Sequence, residues 1–120
     1  MSVAHLEKTF VQNALRAAQR ELGLTDAEIG GVVGAHRRTI QRWKHDAQAL
    51  PSPAHREQME QITELLYLLR STFRTMDVAR EWLHSPVPLL RGRTPISLLR
   101  KGEIEEVISV LAGLNSGKFI

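Results

Sequence analysis

At 120 residues, with 42% hydrophobic and 24% charged side chains, the chain can form one compact core, or two small units sharing one. It has no cysteine, which excludes disulfides and thiolate metal sites and fits a reducing cytoplasm. No apolar run approaches the roughly 20 residues of a membrane span, no signal peptide is visible, and a net charge of +3 permits nucleic-acid binding without demanding it.

Helical periodicity runs through the whole chain and predicts an all-α fold: an N-terminal helix-turn-helix bundle, a long central helix and a small helical C-terminal domain. The expected boundaries are 1–50, 51–75 and 76–120. Ser2 can cap a first helix from Val3 to Leu22, which Gly23 ends. Leu6, Phe10, Ala14 and Ala17 make one stripe, and Val11, Leu15, Ala18 and Leu22 a second. A face this wide predicts more than one neighbour.

Thr25 and Glu28 then have capping-box spacing at the start of a short helix, Asp26 to Val33. Glycine at position 30 suits a close crossing by another helix. Gly34 supplies a turn that calls for positive φ. A third helix, from about His36 to Asp46, should carry Ile40 and Trp43 inward, with His36 as an unusual N-cap. The spacing of Ile29, Gly30, Gly34, Ile40 and Trp43 resembles the bacterial repressor type of helix-turn-helix, whose second helix reads the major groove.

The outward side of that helix concentrates charge. Arg37, Arg38, Gln41, Arg42 and Lys44 occur with no acid between Glu28 and Asp46. Arginine can grip guanine O6 and N7 with two hydrogen bonds, and glutamine can do the same for adenine. Arg37, Arg38, Gln41 and Arg42 occupy the first turns, where base edges are normally reached. Lys44 is expected on phosphate, with Arg16 and Arg20 as further phosphate contacts. Trp43 is expected in the core.

Ala47 to Pro53 is the one proline-rich break. Ser52 and Pro53 open a helix that can run to about Phe73. Met59, Ile62, Leu66, Leu69 and Phe73 form a heptad-like seam that Leu65 and Leu68 widen. The seam fits an intramolecular core and a homodimer interface equally well, and helix-turn-helix proteins usually need a two-fold dimer. Thr75 caps a short helix from Met76 to His84 that carries Val78 and Trp82.

Near the end, Thr94 is an N-cap with Pro95 at the first helical position. Arg100 and Lys101 suit that helix's negative end, and Gly102 stops it. A last helix begins with Glu103, Glu105 and Glu106 and turns Ile104, Val107, Ile108 and Leu111 to one side. Residues from Asn115 to Ile120 form a loop with a hydrophobic tip. The five histidines are dispersed, and no catalytic motif is visible, so neither an enzyme nor a metal or cofactor site is expected.

The order Trp82-Leu83, Ser85-Pro86, Leu90, Gly92-Arg93-Thr94-Pro95, Leu98-Leu99, Gly102-Glu103, Val107, Leu111 and Gly117-x-Phe119 resembles the toxin-binding domain of the Xre/MbcA/ParS antitoxins. That family also places an Xre-like helix-turn-helix upstream. Val87-Pro88 departs from the pattern, where a turn residue such as Asn would follow Ser85-Pro86. The resemblance implies a type II toxin–antitoxin pair, with a RES-domain toxin that consumes NAD by phosphorolysis or ADP-ribosyl transfer. It assigns neutralisation to the extreme C-terminus entering the NAD cleft, here Ser116, Gly117, Lys118, Phe119 and Ile120. Arg91 and Arg93 would anchor the toxin, and the helix-turn-helix would repress the operon by binding operator DNA. The alternative is a helix-turn-helix repressor without a toxin partner.

Overall fold

The computed structural model describes residues 3–46 and 48–117, with side chains from residue 7 onward. The roles given to Ser2 and to the Leu6 side chain therefore lie outside the described residues. The described residues form α-helices and one 3-10 turn, and no strand, so the fold is all-α. In chain order these are α1 (Val3–Leu22), α2 (Asp26–Val33), α3 (Arg37–His45), α4 (Pro53–Thr72), α5 (Met76–Leu83), the 3-10 turn Pro88–Leu90, α6 (Pro95–Arg100) and α7 (Ile104–Asn115).

Local chemistry explains most boundaries. Thr25 accepts from the Glu28 amide while the Glu28 carboxylate accepts from the Thr25 amide, closing the capping box of α2. His36 caps α3 by accepting from the Arg38 amide through Nδ1. Thr75 and Thr94 cap α5 and α6 by accepting from the Val78 and Ser97 amides. Ser52 sits at the N-cap of α4 but makes no capping bond; its hydroxyl is 3.1 Å from His55 Nδ1 instead.

The core is continuous from Val11 to Leu111, and α4 runs through it. Met59, Ile62, Leu65, Leu66 and Leu69 are each at most 3% exposed. α1, α5 and above all α7 pack around α4. The Met59–Phe73 seam is thus consumed inside the protomer, which removes it as a dimer interface. Heptad spacing reports an apolar face and is silent about what covers it; the cover is the Ile104, Val107 and Leu111 side of α7. α1 does meet several neighbours, as its wide face predicts, but Phe10 remains 36% exposed.

Gly30 owes its identity to the turn rather than to a crossing helix. A Cβ there would lie 2.3 Å from the Ala35 carbonyl oxygen, because the Ala35 amide folds back to donate to Gly30 O at 2.9 Å. The close crossing falls one residue later. Gly102, at φ 78°, has no room for a Cβ, which would meet the Gly31 carbonyl at 2.8 Å. This backbone contact joins α2 to the end of α6, and Arg100 adds an ion pair to Glu28.

Candidate functional site

α3 is positioned by both its faces. Ile40 and Trp43 are 0% and 3% exposed and fix it on the core, as expected for Trp43. Burying that tryptophan contributes on the order of 2–3 kcal/mol. The C-terminal carbonyls of α3 have no partner within the helix, and α1 supplies them. Lys8 donates to Trp43 O and Ala49 O, the latter at 2.8 Å, and Gln12 Nε2 donates to Lys44 O at 3.0 Å. Burial lowers the Lys8 pKa below the ordinary lysine value, with nearby Asp46 opposing the shift. This clamp was missed by sequence reasoning. Its signal was two polar residues, Lys8 and Gln12, spaced i, i+4 beside the buried Val11 and Leu15 stripe.

On the free side, Arg38, Gln41, Arg42 and His45 line one shallow depression together with Asp46. Arg37 is exposed one position earlier. Arg37, Arg38 and Arg42 make no ion pair among the described residues, so their guanidinium groups are open to solvent or to a ligand.

Lys44 behaves differently. It is 14% exposed, lies 2.8 Å from Asp26 and donates to Gln19 Oε1 at 3.0 Å. Its charge ties α3 to α2 and α1, so it is a strut of the motif rather than an outward group. Burial pushes the Asp26 carboxyl up, but Lys44, Gln41 and Gln19 outweigh it and hold the group below its ordinary value. Gln41 therefore bonds to Asp26 while also lining the depression on the free side. Arg16 and Arg20 lie elsewhere, in a groove between α1 and α4.

The C-terminal residues split in the same way. The loop after α5 makes a compact turn in which Val87 donates to Arg93 O and Gly92 donates to Val87 O, at 3.1 and 3.0 Å. Arg91 sits at its tip with φ 60°, the one non-glycine among the described residues in the left-handed region. Its side chain is exposed without an ion pair there, whereas Arg93 donates to Leu90 O at 2.9 Å and to Glu106 at 3.0 Å. Arg93 thus pins the loop to α7. Ser116 donates its hydroxyl to Gly113 O, and the Gly117 amide donates to Leu114 O with φ 76°, so this pair ends α7. Lys118, Phe119 and Ile120 lie outside the described residues.

Among the described residues no helix is long and apolar enough to cross a membrane, and no group of three or more His, Asp or Glu side chains is placed to hold a metal ion.

A short helix seated on the core behind a capped turn, and a helical C-terminal unit packed on the same core, define a helix-turn-helix type of fold with an added module. Residues 3–70 match the model of the antitoxin Xre-like helix-turn-helix domain, and residues 68–117 that of the antitoxin Xre/MbcA/ParS C-terminal toxin-binding domain. Mycobacterial cidal antitoxin MbcA, from Mycobacterium tuberculosis and Mycobacterium bovis, is 31% identical over 110 residues, which are 90% of this chain and 94% of the relative. The crystal structure of the M. tuberculosis MbcT–MbcA toxin–antitoxin complex contains a chain with TM-score 0.62 and 28% identity, covering 91% of this chain and 96% of that one. The chain belongs to the Xre/MbcA/ParS antitoxin family.

Proposed function

We propose that this antitoxin neutralises a RES-domain, NAD-consuming toxin by placing its C-terminal tail in the toxin's NAD cleft, and represses its own operon through α3. It acts in the cytoplasm, as a homodimer on its operator, without catalytic activity of its own. Residues 1–50 carry the DNA contacts, 51–75 connect, and 76–120 bind the toxin. The observation that carries the toxin reading is the match of residues 68–117 to a toxin-binding domain, ending where Gly117 stops α7. Past that stop, Lys118, Phe119 and Ile120 offer a cation, an aromatic ring and an aliphatic group. These groups suit a cleft that holds a ring and a pyrophosphate.

Deleting Lys118 to Ile120 while keeping the Gly117 stop tests the mechanism. The truncated chain is expected to remain folded and to bind operator DNA, yet to leave cellular NAD falling when the cognate toxin is co-expressed. Full protection of NAD by the truncated chain overturns tail insertion. Arg37, Arg38, Gln41 and Arg42 are the proposed base-edge readers. Lys44 contributes by fixing the angle of α3, and Arg91 is the exposed cation offered to the toxin beside the paired Arg93.

A further inference from the structure

α1 and α4 run parallel, clasped by Glu7–Arg56 near their starts and Glu21–Arg70 near their ends. Both clasps join residues with the same difference in number, so each α1 position has a level partner on α4. Between the clasps the helices leave a groove on the outer face of the core. At one end it holds Phe10 and Glu60, in a cavity of about 330 Å³. At the other it holds Ala17, Arg16 and Arg20, in a cavity of about 480 Å³ that Phe10 also borders.

We propose that this groove is the docking surface for a second copy of the chain, related by a two-fold axis that lays the grooves face to face and antiparallel. The proposal rests on the two-copy reading above and names its surface. Three observations on the groove agree. Its ends are oppositely charged: Glu60 at one end and Arg16 and Arg20 at the other have no ion-pair partner among the described residues. An isologous interface must be self-complementary, and only the antiparallel setting puts each basic end over the partner's acidic end. The register also closes. Glu60 is level with Val11, so an axis that sets Glu60 against the partner's Arg16 passes at Asn13–Ala14. The same axis carries the 36% exposed Phe10 onto the level of the partner's Ala17, a small residue that leaves room for a ring. A nucleic acid lying along the groove would meet Glu60, which argues for a protein occupant.

The full chain, freed of toxin and DNA, is weighed by light scattering after size exclusion, with circular dichroism to confirm folding. Wild type is expected at dimer mass. R16E and E60R should each shift to monomer, and the two changes combined should return to dimer, because the charges are then exchanged rather than opposed. Ala17→Trp should give a folded monomer by filling the seat of Phe10. A wild-type monomer overturns both the two-copy reading and this surface. A dimer in every variant overturns the surface and leaves the two-copy reading standing. Loss of dimer in both reversals without recovery in the combination also overturns the surface.

Discussion

The two halves of the chain use arginine in opposite ways. On α3, Arg37, Arg38 and Arg42 stand exposed and unpaired among the described residues. In the C-terminal half, Arg80 pairs with Asp77, Arg93 with Glu103 and Glu106, and Arg100 with Glu28. A guanidinium already bonded to a carboxylate holds parts of the fold together; one left open keeps its five donors for something else. The arginines of α3 are therefore open to solvent or to a ligand, whereas most of those in the C-terminal half are structural. Arg74 and Arg91 are exceptions, exposed without an ion pair among the described residues, and Arg91 stands at the tip of the loop that Arg93 secures.

Replacing Arg37, Arg38 and Arg42 together with alanine should produce the largest effect. Operator binding is expected to weaken by about 1–3 kcal/mol for each arginine that grips a base with two hydrogen bonds, with the unfolding midpoint nearly unmoved. A gel shift beside a urea titration separates the two, and a large stability loss would mean that these groups are structural after all.

Lys8→Met sharpens the other side of the contrast, since Lys8 works through α3 without belonging to it. The carbonyls of Trp43 and Ala49 would be left without their donor, at a cost of about 1–3 kcal/mol in a urea titration. Operator affinity should fall only as far as α3 loosens.

The smallest effect is at the junction of the halves. Glu28 is held below its ordinary carboxyl pKa first by the Thr25 amide and then, against burial, by Arg100. Asp26 is lowered too. A depressed acid stabilises the fold above its unfolded value, here 4.5 and 3.8, and that contribution is lost as pH falls through the folded values. Thermal midpoints should drop below about pH 4, and less steeply in Glu28→Gln. Arg100 is half exposed, so Arg100→Ala should cost about 1 kcal/mol or less at neutral pH.

What could be read from the sequence was whatever a helix settles within its own few turns. The T-x-x-E box, Thr94 before Pro95 and the glycine stops placed α2, α6 and α7 because caps are local chemistry. The arginines of α3 were legible for the same reason, as a run without acids. What stayed hidden depended on long-range partners. Lys44 sits in that basic run, and only the fold brings Asp26 and Gln19 to it. The α4 seam showed that a partner existed but not that α7 was the partner. Arg93 and Arg91 share one loop, and their different fates follow from Glu103 and Glu106 lying beside just one of them. The turn at Pro88–Leu90 gave no warning, since Arg91 takes a backbone conformation that glycine would normally announce.

The contact of Gly31 with Gly102 bears on how such proteins can be recombined. Gly102 has no room for a side chain against the Gly31 carbonyl, and a Cβ at Gly31 would press on the Arg100 carbonyl oxygen at 3.2 Å, so the two halves are matched surfaces as well as successive segments. A chimera that takes its helix-turn-helix from one relative and its C-terminal module from another must bring a compatible pair at these positions. The linker at residues 47–53 is the natural place to cut, yet the fit is decided far from it, between α2 and the end of α6. Exchange of modules in this architecture is thus constrained by a seam that belongs to neither candidate site.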